Sequence, residues 1–111
     1  MKRFEIWEAI LPSTSNSHVQ SGYRPVVIVS NDMANVHSPV ITVIPLTTQN
    51  KKPLPTHVQL MPQRGRSSIA LCEQILTVDK ACLKRCVGFV YDSYERRSIH
   101  RALCIQLGMA A

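Results

Sequence analysis

Short apolar runs separated by polar segments occupy most of the chain. Alternating or continuous apolar positions bounded by turn-forming residues predict strands at 4–11, 25–30, 40–46, 57–61, 68–77 (bent near its middle) and 87–90. Two prolines just before 57–61 place that strand at a sheet edge, because proline cannot donate a hydrogen bond to a neighbouring strand. The remaining segments predict loops at 12–24 and 47–55, an irregular connection at 31–39 and a short helix at 79–85.

The last part of the chain has a different periodicity. Ile99, Leu103 and Leu107 recur at a spacing of four, which is typical of the apolar face of an amphipathic helix. Asp92, three residues before a glutamate, predicts a capping box at the helix start, and the glycine after Leu107 predicts its end. The whole pattern predicts a single domain over 1–111, mainly β with α: a small antiparallel, barrel-like sheet with a C-terminal helix.

An excess of basic residues narrows the choice of partner. The net charge of +6 favours nucleic acid, an acidic protein segment or a membrane surface, although a basic protein without such a partner is the alternative. No apolar run approaches the roughly 20 residues that span a bilayer. Glu5 and Glu8 interrupt the apolar residues near the N-terminus, so we expect no signal peptide and predict a cytoplasmic protein.

The cysteines do not form a pattern typical of a metal site. Cys82 and Cys86 are the only close pair, and neither a second pair nor a nearby histidine accompanies them. We therefore predict free thiols and no metal. The seven acidic residues are scattered along the chain, whereas a magnesium-dependent nuclease clusters its carboxylates around the ion. If the protein cleaves a nucleic acid, the sequence thus favours a reaction without metal and without another cofactor.

Metal-free cleavage has a natural substrate in RNA, whose 2′-hydroxyl can attack the adjacent phosphate. Such a site needs a base, an acid and a cation that stabilises the phosphorane, and arginine suits the last role because its guanidinium forks onto phosphate oxygens. Arg24 at the end of one predicted loop and Thr47 at the start of another are candidates. The alternatives are a surface ion pair for Arg24 and an ordinary turn role for Thr47.

Other polar residues near these loops are further candidates. His18 lies in the first loop and His57 begins the predicted edge strand; each is otherwise an exposed histidine without a role in the chemistry. Basic residues cluster at the tips of two loops, where they predict either a phosphate-binding surface or a solvated one: Lys51, Lys52, Arg64 and Arg66.

Four segments, taken in order, resemble one protein family. They are "GYRPVVIVSND", "PLTTQNKKPLPTHVQL", "ALCEQILTVDKACL" and "ALCIQLG", and the similarity extends over about residues 3–108. On these motifs the chain resembles the MazF/PemK/Kid toxins, the endoribonucleases of bacterial toxin–antitoxin pairs.

The resemblance implies an SH3-like barrel with a C-terminal helix, which forms a homodimer and cleaves single-stranded mRNA at short specific sequences. Cleavage would need no metal and would leave a 2′,3′-cyclic phosphate and a 5′-hydroxyl. Arg24 matches the catalytic arginine of the family and Thr47 its catalytic threonine. Further motif positions associated with RNA binding or support of the site are Gln20, Asn31, His57 and Gln74. His18 and Gln49 are additional candidates for RNA binding.

Two segments depart from the family pattern. The chain has "RFEI" where the family often has R-G-D-I, and "SHVQSG" where it often has G-S-E-Q-G-G. Val19 therefore replaces a glutamate, and we hypothesise that His18 takes over the lost polar role because it lies one residue earlier in the loop expected to cover the RNA.

The resemblance also implies a partner. A MazE-like antitoxin with an acidic, disordered tail suits the basic charge, and DNA would be bound only indirectly, through that antitoxin. Two alternatives remain open: a CcdB-like toxin that poisons gyrase without catalysis, and a nucleic-acid-binding SH3-like module. The former would need an apolar or tryptophan-bearing helix end, whereas this chain ends in "GMAA" and its one tryptophan is Trp7.

Overall fold

The computed structural model describes residues 1–13, 18–49, 51–63 and 66–110, and the side chains there except those of residues 62, 63 and 66. Within this part of the chain the strands are β1 Glu5–Leu11, β2 Gly22–Ile28, β3 Val40–Thr47, β4 His57–Gln63, β5 Arg66–Leu71, β6 Leu76–Asp79 and β7 Leu83–Phe89. The α-helices are α1 Asp32–His37 and α2 Ser93–Leu107, and 3-10 turns occupy Cys72–Gln74 and Lys80–Cys82.

The described strands form one antiparallel sheet in the order β4-β5-β3-β2-β1-β7, with β6 also paired to β3. Strand β3 lies at its centre because one of its edges pairs with β2 while the other pairs first with β6 and then with β5. The 3-10 turn Cys72–Gln74 carries the chain between these last two strands. The expected fold class is confirmed, as is the edge position of β4.

Aliphatic side chains fill two core clusters. One contains Val27, Ile44 and Ile99, and the other is centred on Val26 and Ile28, so successive residues of β2 serve opposite faces of the sheet. Each such side chain, when fully buried, stabilises the fold by about 1.5–3 kcal/mol. The continuous apolar run of β2 is therefore explained by burial on both faces.

Helix α2 begins and ends as predicted. Asp92 accepts a hydrogen bond from the backbone N–H of Glu95 at 3.0 Å, and Gly108 ends the helix with a left-handed φ of 67°. The Glu95 carboxylate is directed elsewhere, since it accepts the backbone N–H of Met61 at 2.5 Å. Helix α2 thereby covers part of the outer edge of β4, an edge that would otherwise expose unpaired backbone groups.

Three predicted elements were wrong. The short helix at 79–85 is a 3-10 turn followed by β7, because pairing with β1 (Glu8 with Arg85) decides the conformation of residues that local pattern leaves ambiguous. The irregular connection at 31–39 contains α1, whose first turn is capped by Asn31. The single bent strand at 68–77 is divided into β5 and β6. The last strand is also longer than predicted, since β7 starts at Leu83.

Candidate active site

A cleft of about 310 Å³ opens where β2 and β3 separate. Strands β1, β2, β3, β5 and β7 all contribute to its wall, and the polar residues lining it are Glu8, Tyr23, Arg24, Thr47, Thr48 and Ser68. Its floor is apolar, formed by side chains such as Ile6 and Leu46. A concave site with an apolar floor and a few convergent polar groups is the usual form of a binding site.

Strand register explains why Arg24 and Thr47 meet in this cleft. Strands β2 and β3 pair Val26 with Pro45, and continuing that register by two residues places Arg24 opposite Thr47. The hydrogen-bonded pairing between β2 and β3 ends at Val26 and Pro45, and Pro45 has no N–H to donate to β2. Both residues lie inside strands, not in loops as predicted from the sequence, so a rigid sheet positions them.

The Arg24 side chain is half-buried and poorly satisfied within the fold. Its Nε donates to the backbone carbonyl of Ser21 at 3.2 Å, and this is the one hydrogen bond that the guanidinium makes among the described residues. No described carboxylate pairs with it. The alternative of a surface ion pair is therefore not what the described residues show, and the remaining N–H groups can bind an anion in the cleft.

Thr47 is buried at the end of β3, with 2% of its surface exposed. Its Oγ1 accepts the backbone N–H of Gln49 at 3.2 Å, which leaves the hydroxyl hydrogen available for an acceptor in the cleft. Because Thr47 also pairs with Ile69 in β5, the backbone that carries this hydroxyl is fixed by the sheet.

The sequence analysis missed Ser68, another hydroxyl in the cleft. Ser68 lies in β5, and its Oγ is buried without a hydrogen-bond partner among the described residues. Buried hydroxyls are normally paired, so this group is available to a ligand. One signal in the sequence is strand alternation: Ser68 lies two residues before Ala70, so both side chains face the same side of β5, and Ala70 is in the core.

Glu8 and Tyr23 form a polar cluster on another wall of the cleft. The Glu8 carboxylate accepts a hydrogen bond from Arg85 of β7. A hydrogen bond to Glu8 is also the main cause that raises the pKa of the Tyr23 phenol, so at neutral pH Tyr23 is a donor and not a base. Both residues were missed as site candidates, because Glu8 lies in the predicted first strand and Tyr23 in the predicted loop at 12–24, and neither carries a motif that points to a site.

A basic cleft of about 230 Å³ has a lining that includes Lys51, Lys52, His57, Glu73 and Gln74. The Gln74 Oε1 accepts the backbone N–H of Gln20 at 2.7 Å, which ties the loop before Arg24 to this cleft. Glu73 contacts two residues near this cleft: its carboxylate accepts a hydrogen bond from Thr56 and contacts His57 Nε2, each at 3.1 Å. The structure therefore brings Gln20, His57 and Gln74 into one connected region.

The remaining predicted residues have other positions. Asn31 caps α1 by accepting the N–H of Ala34 at 2.8 Å and lines none of the clefts described here. Gln49 is exposed beside Thr47, and His18 is exposed and lines none of them either. Arg64 lies outside the described residues, and the side chain of Arg66 is not described.

The hypothesis for His18 has a direct test. If His18 replaces the polar function of the glutamate that is absent at Val19, His18→Ala should lower the cleavage rate and change its dependence on pH. We would measure RNA cleavage over a range of pH. An unchanged rate and pH profile would remove His18 from the site.

Neither a metal site nor a membrane span is visible in the described part of the chain. No three side chains of His, Cys, Asp or Glu type come together there in a way that would hold an ion. Among the described helices, none has the length and apolar character needed to cross a bilayer. The four cysteines are free thiols, and burial raises the pKa of Cys72 to about 12.

The described strands form an antiparallel barrel-like sheet with a C-terminal helix, and one cleft in it is lined by both an arginine and a buried hydroxyl. The family model of PemK-like, MazF-like toxins of type II toxin–antitoxin systems matches residues 2–107. The chain therefore belongs to this family. The family expected from the sequence is confirmed, and with it the expected class, an endoribonuclease toxin.

Individual relatives agree with this assignment. A protein of Staphylococcus saprophyticus named endoribonuclease MazF is 35% identical over 98% of this chain and 92% of its own length. A MazF crystal structure from Deinococcus radiodurans superposes with a TM-score of 0.83 at 21% identity, covering 98% of this chain and 97% of the other. A mycobacterial endoribonuclease solved with its cognate antitoxin superposes with a TM-score of 0.81 at 23% identity, covering 100% of this chain and 98% of the other. At such identities the two structures show a shared fold.

Proposed function

We propose that the protein is a metal-independent, sequence-specific endoribonuclease toxin that cleaves single-stranded mRNA. The observation that carries this proposal is the shared cleft of Arg24 and Thr47, in which an arginine without a described carboxylate partner lies across from a buried hydroxyl. A phosphodiester in the cleft would meet both a charged and a neutral donor. Family membership supports the same reading.

In the proposed reaction the 2′-oxygen of the RNA attacks the neighbouring phosphorus, and the bond to the 5′-oxygen breaks. A base takes the proton of the 2′-hydroxyl, an acid protonates the leaving 5′-oxygen, and the products are a 2′,3′-cyclic phosphate and a 5′-hydroxyl. Negative charge accumulates on the non-bridging oxygens of the phosphorane. The Arg24 guanidinium stabilises that charge, while the Thr47 hydroxyl holds the phosphate in line for attack.

The basic charge supports the proposed inhibitor, an antitoxin with an acidic, disordered tail. With a net charge of +6, the protein attracts both RNA and an acidic peptide, and a tail bound over the clefts would block RNA. We further propose a cytoplasmic homodimer that contacts DNA only through the antitoxin. The solved complexes of MazE with MazF from Deinococcus radiodurans concern those proteins, and they motivate the search for a partner here.

A cleavage assay with a chelator tests the function. The purified protein should cut a long single-stranded RNA into discrete fragments in excess EDTA, because the described residues supply no metal-binding cluster. The 5′ ends of the fragments should accept phosphate from a kinase without prior dephosphorylation, since they carry hydroxyls, and sequencing them gives the recognition sequence. Loss of cleavage on chelation would contradict the mechanism. RNA that is bound but left intact would favour the nucleic-acid-binding module. Poisoning of gyrase without RNA cleavage would favour the CcdB-like toxin.

A further inference from the structure

A second cleft of about 310 Å³ lies on another part of the surface, between β4 and one face of α2. Tyr94, Ser98 and Arg101 line it from α2, at spacings of four and three that place them on the same helical face. His57 and Gln59 line it from β4. No part of the chemistry proposed above uses this helix groove.

Arg101 is an available cation in the helix groove. It is exposed and forms no ion pair within the described part of the chain. Arg96, five residues earlier, is in contrast used by the fold: its guanidinium stacks on the rings of Phe4 and Phe89 at 4.9 Å from each, and its Nε donates to a backbone carbonyl at 2.7 Å. Arg101 has no such structural duty and can bind a phosphate.

His57 supplies a buried polar group that lacks a partner. Its side chain is 9% exposed; the Nε2 atom contacts Glu73, but Nδ1 is buried and makes no hydrogen bond to any described residue. Buried ring nitrogens are normally paired. Because His57 lines both the helix groove and the basic cleft, it lies where a ligand passing from one to the other would contact it.

The rim of the helix groove carries an aromatic ring. Tyr94 is 67% exposed, so its ring is accessible to a ligand. An exposed ring beside a guanidinium, a hydroxyl and an amide matches the needs of an unpaired nucleotide: a surface for stacking, a cation for phosphate and donors for the base edge. An acidic peptide would use the cation but would have no need for the ring.

Hydrogen bonds and one shared side chain link the residues of the helix groove to those around the candidate active site. Arg24 binds the carbonyl of Ser21, and the preceding residue, Gln20, binds Gln74 in the basic cleft. That cleft in turn shares His57 with the helix groove. A single strand of RNA leaving the active site would thus pass Lys51 and Lys52 before it reaches Tyr94 and Arg101.

We propose that the groove between α2 and β4 is a nucleotide subsite for single-stranded RNA, remote from the scissile phosphate. Arg101 binds a phosphate there, and Tyr94 stacks on a base. This inference rests on RNA being the ligand, as in the function proposed above, but not on cleavage.

Binding of a 2′-O-methyl oligoribonucleotide of mixed sequence tests the subsite, since the methyl group prevents attack by the 2′-oxygen. The probe should be about 15 nucleotides long, within the range that single-strand-binding folds cover. Arg101→Met should weaken binding about 5- to 20-fold and reduce the slope of log K against log salt concentration by about 1. Arg97→Met is a neighbouring control: Arg97 lies one turn before Arg101 and is exposed, but it lines none of the clefts described here. Its affinity should stay within about 2-fold of wild type.

Variants of Tyr94 test the contribution of base stacking separately from that of charge. Tyr94→Leu should weaken binding of the same probe about 5-fold or more, whereas Tyr94→Phe should keep most of the affinity because it retains the ring. On a cleavable long RNA, Arg101→Met should raise KM more than it lowers kcat. Equal affinities for the Arg101→Met and Arg97→Met variants, or wild-type affinity for Tyr94→Leu, would overturn the proposal.

Three other outcomes are informative. If Arg101→Met weakened binding of poly-glutamate but not of the RNA probe, the groove would be a site for an acidic peptide, and the proposal would be wrong. A changed sedimentation coefficient of the variants would make the groove a contact between copies of the chain, which would overturn it as well. If RNA were never cleaved but the probe still distinguished the Arg101 and Arg97 variants, the subsite would stand and the proposed catalysis would fail.

Discussion

Replacing Arg24 by alanine is expected to lower the rate of RNA cleavage about 10³-fold, the largest effect that we predict for any single substitution. Among the described residues that line the cleft, Arg24 carries the one positive charge, and none of the others could replace it. Removing one donor to a developing oxyanion typically lowers rates 10²- to 10³-fold, and the loss of an arginine facing a phosphoryl group reaches about 10³ or more. Single-turnover cleavage of an RNA containing one mapped site measures the effect.

Two further variants show whether that loss of rate comes from the guanidinium of Arg24 or from the loss of a positive charge anywhere on the protein. Arg24→Lys keeps the charge but cannot fork onto two phosphate oxygens, so its rate should fall between those of wild type and Arg24→Ala. Arg97→Ala removes the same charge from an exposed site on α2 and should cleave at nearly the wild-type rate. Because Arg24 makes a single hydrogen bond among the described residues, the thermal midpoint of Arg24→Ala should change by only a few degrees. A rate within about threefold of wild type would show that Arg24 has no part in the chemistry.

The elements predicted best are those whose signals are local. Helix α2 was predicted from its apolar spacing and both ends, because capping by Asp92 and termination at Gly108 depend on residues adjacent in sequence. The capping box was only half right: Glu95 satisfies the edge of β4, a contact across 34 residues that no local pattern contains. The prediction of a helix at the start of β7 was wrong for the same reason, since pairing with β1 decides the conformation of these residues.

The candidate site shows the same division between local and distant information. Arg24 and Thr47 could be named from motifs, but their meeting depends on the register between β2 and β3. The bond between Gln20 and Gln74 joins residues 54 positions apart and could not be predicted from spacing. Ser68 was missed because a serine in a strand looks the same in sequence whether it faces solvent or a cleft. Asn31 was associated with RNA, whereas its side chain is engaged in capping a helix too short to be predicted from periodicity.

Substituting Thr47 by valine should reduce kcat about 10²-fold with a smaller change in KM. Valine has nearly the shape of threonine, so the buried position is filled, but the hydroxyl that would donate to the phosphate is lost. A donor that acts mainly on the charged intermediate affects kcat more than substrate binding. The backbone N–H of Gln49 also loses its acceptor, yet that residue is exposed and water can replace the bond. Steady-state cleavage of the mapped RNA gives both constants.

Thr47→Ser and Thr42→Val make this test specific. Serine restores the hydroxyl and should recover most of the activity, although it leaves a methyl-sized void next to the core that lowers stability by about 1 kcal/mol. Thr42 lies in the same strand but outside the cleft, where its hydroxyl contacts Thr77 at 3.4 Å, so Thr42→Val should cleave as the wild type does. If Thr47→Val were as active as Thr47→Ser, the hydroxyl would have no role. In that case the Ser68 hydroxyl, which has no partner among the described residues, would become the first candidate for holding the phosphate, because it lines the same cleft as Arg24.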